Sequence, residues 1–507
     1  MVLSSTLEKN LSEDIKKKVI QSLKWVAVGK IIVQLIRWSV TFWVVRLLTP
    51  TDFGIVALSD FYLDFLWMFA ITGPGSAVIQ KRNISKNALR EFFTVILALN
   101  FVLFIILLLS ADTLASLYDE PRMAEAIRIS AYCFLIIAFQ MIPSALLTRE
   151  MDFKRLTFFN IFSQTISSLS TLIMACKGMG FLALVYGEVV RLSIQTILKY
   201  WYSPILVWPK ISFQEVRSLI SFGSSVSIHR VLWHIYAHLD IAIAGLILST
   251  ADVGSYQVAV FIAAIPISKV IPSLKQVALP AYSQIQESFD KVQQYFLKSH
   301  RLGMYIILPI FFGISSIAAL FIPTVFGDKW LDSIVPLTFL SLAMPFRFSE
   351  ELFSPVLEGI NQTNILIKNT ILIIITMSVA IYIGSHYGIK GLSFSWLIGF
   401  SSIYIVVVCK ICHSINIPLK QFFNTIKIPL LSSVVMYFTV KLTQYLIQNM
   451  YHDIISLLIC IIVGITTYSL LSFYFNKSVF KELISLKKSE PSISNDQSHN
   501  KDLQVFI

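Results

Sequence analysis

Cysteine, charge and nucleotide-binding signatures are all scarce in this chain of 507 residues. Charged residues make up 14% of it, whereas a soluble domain carries about 25%. The five cysteines lie in or beside apolar runs, and only Cys409 and Cys412 are closely spaced, which argues against a disulfide framework or a cysteine-rich metal site. The sequence lacks a P-loop, and the DFG triplet at 52–54 has no accompanying kinase motif, so neither ATPase nor kinase chemistry is indicated.

Long apolar runs fill most of the chain. Hydrophobic residues are 56% of the sequence and the mean hydropathy is +0.73. Because a bilayer core requires about 20 mostly apolar residues per helix, we expect an all-α, polytopic membrane protein with about 14 transmembrane helices. The first, second and seventh predicted helices contain charged residues and are marginal as transmembrane spans. The predicted spans are 22–48, 54–79, 92–111, 123–147, 156–176, 180–201, 217–248, 253–281, 301–323, 334–357, 364–384, 388–411, 427–447 and 453–474.

Basic residues alternate between the predicted loops, and this distribution explains the net charge of +12 better than nucleic-acid binding does. The loops after even-numbered helices contain many Lys and Arg residues, as in Lys81, Arg82 and Lys86, and so do both tails. The loops after odd-numbered helices contain few. The positive-inside rule therefore predicts an even number of spans with both termini in the cytoplasm.

A short internal repeat divides the chain into two halves. Residues 47–61, LLTPTDFGIVALSDF, return at 247–261 as ILSTADVGSYQVAVF. The matched pairs include Asp52 with Asp252, Gly54 with Gly254 and Phe61 with Phe261. Repeats of this kind are typical of secondary transporters, whose halves pack around a central pathway.

The repeat predicts two six-helix lobes of the same orientation, followed by two additional helices. The predicted organisation is a cytoplasmic N-terminal tail (1–21), an N-lobe with helices 1–6 (22–201), a cytoplasmic inter-lobe linker (202–216), a C-lobe with helices 7–12 (217–411), helices 13 and 14 (412–475) and a polar, disordered cytoplasmic tail (476–507).

Basic side chains within predicted spans are the first candidates for a substrate site, because intramembrane charge is costly and usually faces a partner or a water-filled cavity. Lys30 and Arg37 share one face of helix 1, and Arg230 matches Lys30 in the repeat. Together with His234 and His238 they would line a cationic cavity suited to an anionic substrate, such as a pyrophosphate or an acidic sugar. The alternative is that Lys30 and Arg37 pair with acidic residues of helix 2.

Three acidic residues are candidates for ion coupling, namely Asp60 and Asp64 in helix 2 and Asp240 in helix 7. The i, i+4 spacing of His234 and His238 would also permit zinc binding, but the sequence HIYAH lacks the acidic residue of the HExxH motif. No metal site and no cofactor are therefore expected. Further intramembrane charges are found in helices 8 and 10, including Lys275, Arg347, Glu350 and Glu351.

Several segments, in order along about the first 400 residues, resemble polysaccharide flippases of the multidrug/oligosaccharidyl-lipid/polysaccharide exporter superfamily. They are RLLTPTDFGIVAL (46–58), GSAVIQKRNIS (75–85), REMDFKRL (149–156), DIAIAGLILSTADVGSYQVA (240–259), LPAYSQIQ (279–286) and FGDKW (326–330). The resemblance is strongest to the colanic-acid and teichuronic-acid type of lipopolysaccharide-biosynthesis exporters.

This resemblance implies a V-shaped bundle of two lobes in the bacterial inner membrane. It also implies translocation of undecaprenyl-pyrophosphate-linked oligosaccharide repeat units for O-antigen, capsule or exopolysaccharide synthesis, by alternating access driven by a proton or sodium gradient. The implied partners are the lipid-linked oligosaccharide, membrane lipids, a polysaccharide polymerase and a chain-length regulator. The chain would not be an enzyme.

Two other classes of function stay open. A multidrug or metabolite exporter of the same superfamily would favour acidic and aromatic residues for organic cations, in contrast to the basic excess of helices 1 and 7. An integral-membrane polymerase or glycosyltransferase would carry catalytic residues on a large outer loop. The longest outer loops here, near 111–122 and 323–334, are short, and their acidic residues are typical of solvated loop charges.

Overall fold

The computed structural model describes residues 25–26, 28–72, 85–202, 209–210, 228–447 and 450–475, and all regular structure in these ranges is helical. Fourteen helices follow one another in this part of the chain. They are α1 (Val28–Leu47), α2 (Pro50–Thr72), α3 (Lys86–Leu117), α4 (Arg122–Arg149), α5 (Phe153–Cys176), α6 (Leu182–Tyr202), α7 (Ile228–Gly245), α8 (Thr250–Gln284), α9 (Phe289–Phe326), α10 (Asp328–Gly359), α11 (Thr363–Ser385), α12 (Gly388–Ser414), α13 (Leu419–Leu446) and α14 (Asp453–Phe475).

Two of these helices are not uniform. α10 opens with a 3-10 turn over Asp328–Ser333 and is interrupted at Leu352. α12 contains a π-helical turn over Ser395–Phe400. Such π-turns are rare and often occur at functional sites.

Twelve of the described helices are long and apolar enough to cross a membrane, which confirms a polytopic all-α membrane protein. α1 and α2 qualify despite their charges. The apolar part of α7 that the structure describes, Val231–Gly245, is shorter than a span, and α6 does not qualify because Glu188, Arg191 and Lys199 lie within it. The count of fourteen spans stays a prediction.

The surface of the described helices carries many large apolar side chains. Leu109 is 77% exposed, Leu470 70% and Phe438 65%. A water-soluble protein rarely exposes so much apolar surface, whereas lipid tails accommodate it. The helices satisfy their own backbone hydrogen bonds, as the hydrocarbon region of a bilayer requires.

The chain divides into two compact units. Unit 1 comprises Met1–His234 and Ser249–Gly254, and unit 2 comprises Ile235–Leu248 and Ser255–Ile507. The predicted lobe boundaries at 22–201 and 217–411 stay a prediction. The predicted tails (1–21 and 476–507) and all of the linker (202–216) except 202 and 209–210 lie outside the described residues.

Unit 1 is organised around α4, which packs against α2, α3 and α6, while α5 packs against α6. A buried apolar cluster joins α3 to α4 through Phe92, Ile96, Ile137 and Met141. α3 begins at Lys86 because the Ser85 hydroxyl accepts a hydrogen bond from the Ala88 amide at 3.0 Å, which satisfies one of the free N–H groups of the first turn.

Unit 2 is organised around α9, which packs against α10, α13 and α14. The buried residues of this core include Tyr305, Met436 and Cys460. The hydroxyl of Tyr468 in α14 donates a hydrogen bond to the Tyr305 carbonyl at 2.7 Å. The two C-terminal helices are therefore packed parts of unit 2.

The two copies of the sequence repeat have the same local structure and touch each other within unit 1. The Asp52 and Asp252 amides donate to the Thr49 and Ser249 hydroxyls, and each carboxylate accepts a hydrogen bond back from that hydroxyl. At the contact, a Cβ on Gly54 would lie 1.9 Å from the Thr250 carbonyl oxygen. A Cβ on Gly254 would lie 1.8 Å from the Pro50 carbonyl oxygen. Only glycine fits at either position, so the repeated glycines allow a reciprocal backbone contact.

Candidate functional site

A polar cleft of about 560 Å³ opens among the helices of unit 1. Its wall comes from α2, α4 and α6 and includes both acidic and basic side chains. The residues that line it include Asp64, Trp67, Gln140, Ser144, Glu188, Arg191, Gln195 and Lys199. Its volume lies within the range of about 300–1,000 Å³ that is typical of small-molecule sites.

One face of α6 supplies the charges of this cleft. Glu188, Arg191, Gln195 and Lys199 follow one another at spacings of three, four and four residues, so that they align along the helix. The Arg191 guanidinium donates two hydrogen bonds to the Glu188 carboxylate, the one from Nε to Oε2 at 2.7 Å. Arg191 is thus neutralised by a neighbour on its own helix.

Lys199 is held differently. Its side chain is buried, and Nζ donates to Oε1 of Gln140 at 2.9 Å and to Oγ of Ser144 at 3.5 Å, both on α4. Both acceptors are neutral. Among the described residues, no carboxylate forms an ion pair with this ammonium group.

A second polar centre lies in unit 2 around Asp240 of α7. Its Oδ2 accepts hydrogen bonds from the Tyr256 hydroxyl at 2.7 Å and from Nε1 of Trp396 at 3.1 Å. Its Oδ1 accepts from the Ile241 amide at 2.9 Å. Asp240 therefore joins α7 to α8 and to the π-helical turn of α12.

One basic residue of unit 2 lies beside this centre. The Arg347 guanidinium of α10 lies over the rings of Tyr236 and Trp396, at 5.2 and 4.8 Å from their centroids. Such cation–π contacts offset part of the cost of burying the charge. Lys275 of α8 forms an ion pair with Glu351 of α10. The charged residues of α10 thus contact three other helices, α7, α8 and α12.

A chain of hydrogen bonds crosses the interior of unit 2. His300 is fully buried, and its two ring nitrogens contact the Thr425 hydroxyl at 2.8 Å and the Ser349 hydroxyl at 2.7 Å. The Ser349 hydroxyl also contacts the Tyr404 hydroxyl at 2.6 Å. This network joins α9, α10, α12 and α13.

Acidic residues at the helix ends of unit 1 organise its loops. Oδ1 of Asp52 accepts a hydrogen bond from the Phe181 amide at 2.8 Å. A Cβ on Gly180 would lie 2.6 Å from the same oxygen, and its φ of +57° also favours glycine. Burial disfavours ionisation of Glu120, but hydrogen bonding and the positive charge of Arg122, with a further hydrogen bond involving Thr250, keep the pKa of Glu120 below its ordinary value.

The predicted cavity residues occupy different environments. Lys30 and Arg37 lie exposed on α1, and neither forms an ion pair with a described residue. The alternative that they pair with Asp60 and Asp64 is therefore not seen in the described structure. Arg230 lies in the first turn of α7. Their role as a cationic cavity stays a prediction.

The predicted histidines lie on α7, where His234 is buried and His238 is half-buried. Nε2 of His234 lies 3.3 Å from the Phe61 carbonyl oxygen, and its ring stacks on the Phe61 ring. No group of three or more potential metal ligands occurs among the described residues.

The candidate ion-coupling residues are split between the two polar centres. Asp64 lines the unit 1 cleft, and Asp60 lies one turn before it on the same face of α2. Asp60 has Asp64 and Glu188 as its charged neighbours. Asp240 is the acceptor at the centre of the unit 2 cluster.

The sequence prediction missed the α6 residues that build the unit 1 cleft. It concentrated on the first helices of each lobe, although the spacing of Glu188, Arg191 and Lys199 is visible in the sequence and indicates one polar face. It also missed the buried His300, whose surroundings are apolar in sequence. No short-range sequence pattern predicts its hydrogen-bond partners Ser349 and Thr425, which lie 49 and 125 residues away.

Comparison with known proteins gives a family and two informative relatives. Residues 43–335, more than half of the chain, match the family described as polysaccharide biosynthesis protein. The chain is 24% identical over 331 residues to the teichuronic acid biosynthesis protein TuaB of Bacillus subtilis, covering 65% of this chain and 68% of that protein. It is 22% identical over 455 residues to the succinoglycan biosynthesis transport protein ExoT of Rhizobium meliloti, covering 88% and 90%.

Among solved structures, the fold is similar to that of the lipid II flippase MurJ in an inward closed conformation. The TM-score is 0.70 at 15% sequence identity, and the match covers 90% of this chain and 99% of MurJ. At this identity the similarity shows a common fold.

Proposed function

Because this chain belongs to the polysaccharide biosynthesis protein family, we propose that it flips undecaprenyl-pyrophosphate-linked oligosaccharide repeat units across the bacterial inner membrane for surface-polysaccharide synthesis. The observation that carries the proposal is the family match in a chain whose described helices fold like a lipid II flippase. The relatives named for teichuronic acid biosynthesis and succinoglycan transport support the same class of cargo.

The proposed mechanism is alternating access driven by a proton or sodium gradient. The intramembrane carboxylates Asp60, Asp64 and Asp240 are the candidate coupling groups. Lys30, Arg37 and Arg230, with His234 and His238, are the proposed lining of a cationic pathway. A charged headgroup needs a pathway of this kind, because an apolar one would impose the desolvation cost of moving charge into hydrocarbon.

In this proposal both termini lie in the cytoplasm, and the repeat unit leaves on the opposite side of the membrane. A polysaccharide polymerase and a chain-length regulator would use it there. The chain itself would make and break no covalent bond. No ATP-binding motif is required, because the ion gradient supplies the free energy.

The test is deletion of the gene in its host, with complementation by the wild-type chain. We expect the deletion to remove the surface polymer and to cause completed lipid-linked repeat units to accumulate on the cytoplasmic leaflet. Complementation should restore both. An isolated membrane preparation treated with a glycosidase that cannot cross the bilayer reports which leaflet holds the units.

Two outcomes would contradict the proposal. Unchanged polymer and unchanged lipid intermediates, in a strain without a second flippase, would indicate a different cargo. Repeat units that reach the outer leaflet but stay unpolymerised would indicate a polymerase.

A further inference from the structure

One of the two cations in the unit 1 cleft has no contact with a carboxylate among the described residues. Arg191 is compensated by the bidentate contact with Glu188. Lys199 is only 7% exposed, yet its two described partners, Gln140 and Ser144, carry no charge. Arg191 is also its charged neighbour and repels it. A membrane-embedded ammonium group in this position is unfavourable unless an anion approaches it.

Several other side chains that line the cleft are of types that bind sugars. Gln140 and Gln195 offer amide groups for hydroxyls, and Asp64 is a further acceptor. Gln195 is oriented by a hydrogen bond from its Nε2 to Oδ1 of Asn160 at 2.8 Å. Trp67 adds an indole that is fixed by stacking on Phe134, with ring centroids 4.9 Å apart. An aromatic ring packs well against the C–H face of a pyranose, which is apolar.

We propose that the unit 1 cleft binds an acidic sugar residue of the cargo, with Lys199 facing its carboxylate. This inference rests on the proposed function and adds a substrate class and a location to it. A sugar ring would contact Trp67 and the glutamines, and its carboxylate would complete the donors of Lys199 in a charge-assisted hydrogen bond. A phosphate would bind the Lys199 ammonium group but would gain little from contact with the Trp67 indole and the glutamine amides.

The binding test uses the purified full-length chain in lipid nanodiscs with two disaccharides of the same size. Cellobiose and its uronic acid, cellobiouronic acid, differ only in whether C6 of one ring is a hydroxymethyl group or a carboxylate. We expect saturation-transfer NMR titration to give tighter binding of cellobiouronic acid by about 10-fold, as for a single charge-assisted contact.

Variants at position 199 test whether Lys199 causes this preference. Lys199→Met keeps the length of the side chain and should remove the preference, whereas Lys199→Arg should retain most of it. The control Lys177→Met removes a lysine from the exposed loop after α5 and should behave like wild type. The melting temperature of each variant is measured, so that misfolding of Lys199→Met is recognised and the comparison is then made with Lys199→Gln.

Three results would overturn the proposal. The first is equal or undetectable binding of the two disaccharides by the wild type. The second is an unchanged preference in folded Lys199→Met. The third is displacement of cellobiouronic acid by inorganic pyrophosphate that binds more tightly than the sugar, which would assign the cleft to a carrier phosphate.

The deletion strain separates failure of this proposal from failure of the proposed function. If wild type restores polymer export and Lys199→Met restores it equally, flipping stands and the sugar subsite is wrong. If the deletion leaves export unchanged, the proposed function is wrong, whatever the binding titration gives. Support for both requires that wild type restores the polymer, that Lys199→Met reduces export several-fold, and that the lost polymer contains an acidic sugar.

Discussion

Two buried carboxylates of this protein are stabilised in different ways. Asp240 lies within unit 2 and is held by neutral donors, the hydroxyl of Tyr256 and the indole N–H of Trp396. Glu120 lies in the loop between α3 and α4 and contacts the cation Arg122 directly, with Nε of Arg122 2.8 Å from Oε1. The first arrangement consists of hydrogen bonds from uncharged groups, which reach both carboxylate oxygens. The second requires the ionised form.

The hydrogen bonds of Asp240 predict strong coupling with Tyr256. Tyr256→Phe should lower the free energy of unfolding by about 1 kcal/mol, because it removes one hydrogen bond. Asp240→Ala should cost about 1–3 kcal/mol, because it leaves two buried donors without an acceptor. In the Asp240→Ala background Tyr256→Phe should be neutral or recover part of that loss, because it removes a buried hydroxyl that has already lost its acceptor. Denaturant unfolding of the four proteins in mixed micelles measures the cycle.

A surface tyrosine provides the control for this cycle. Tyr132→Phe removes an exposed hydroxyl from α4 and should change stability equally in both backgrounds. Additive effects of Tyr256→Phe and Asp240→Ala would contradict the assignment of Asp240 as the acceptor of the Tyr256 hydroxyl.

The lowered pKa of Glu120 predicts a pH-dependent stability. Because the folded pKa lies below the ordinary value of 4.5, its stabilisation is complete above that value and is lost as the pH falls through the folded pKa. The melting temperature of Glu120→Gln should therefore lie below that of wild type at about pH 6, and the gap should close towards about pH 3. The control Asp119→Asn alters the exposed neighbouring carboxyl and should show no such gap. A difference in melting temperature that widens as the pH falls would contradict the lowered pKa of Glu120.

At the level of single helices, α6 combines two opposing requirements. A binding cleft needs polar side chains, whereas insertion into a membrane favours apolar ones. The charges that disqualify it as an apolar span are those that line the unit 1 cleft. Its polar face is readable from the spacing of Glu188, Arg191 and Lys199, and a search by periodicity finds it. A search by hydropathy alone identifies α6 only as a marginal membrane span. The neutral acceptors of Lys199 on α4, Gln140 and Ser144, cannot be predicted from periodicity. Periodicity shows which residues share a helix face but not which other helix packs against that face.

The contact between the repeated glycines of α2 and α8 predicts a strong effect of one methyl group. Gly54→Ala would place Cβ 1.9 Å from the Thr250 carbonyl oxygen, which is backbone and cannot move aside cheaply. We expect it to lower the free energy of unfolding by about 1–3 kcal/mol, as overpacking does, and Gly254→Ala to do the same. Thermal unfolding in detergent, followed by circular dichroism, measures the change.

Gly313 of α9 is the matched control for this substitution. A Cβ there would meet only the Met436 methyl group, at 3.9 Å. Gly313→Ala should therefore be neutral or stabilise by about 0.5–1 kcal/mol, because alanine loses less backbone entropy in a helix than glycine. Equal effects of Gly54→Ala and Gly313→Ala would show that the contact at Gly54 is not tight.

For the whole molecule, the sequence predicts the positions of the helices well and the contacts between distant helices poorly. Apolar runs locate the helices, and the repeat locates the two matching hydrogen-bonded helix starts at 49–52 and 249–252, because both signals depend on residues close in the chain. The bond from the Phe181 amide to Asp52 joins residues 129 apart, and the bond from Trp396 to Asp240 joins residues 156 apart. Such contacts follow from how helices pack, which one sequence does not encode in any local pattern.

The number of spans depends on α6 and α7, and one loop distinguishes the alternatives. If both helices cross the membrane, Lys210 lies in the cytoplasm while Gly178 and Ser249 lie outside. If neither crosses, all three lie on the outer side, although the termini keep their positions because the number of spans falls by two. We predict fourteen spans, since the basic loops alternate regularly only with that count. Alkaline phosphatase fused after Lys210 should be inactive, while fusions after Gly178 and Ser249 should be active. Activity in all three would reduce the count to twelve, and fluorescent-protein fusions at the same sites, which should give the opposite pattern, control for expression.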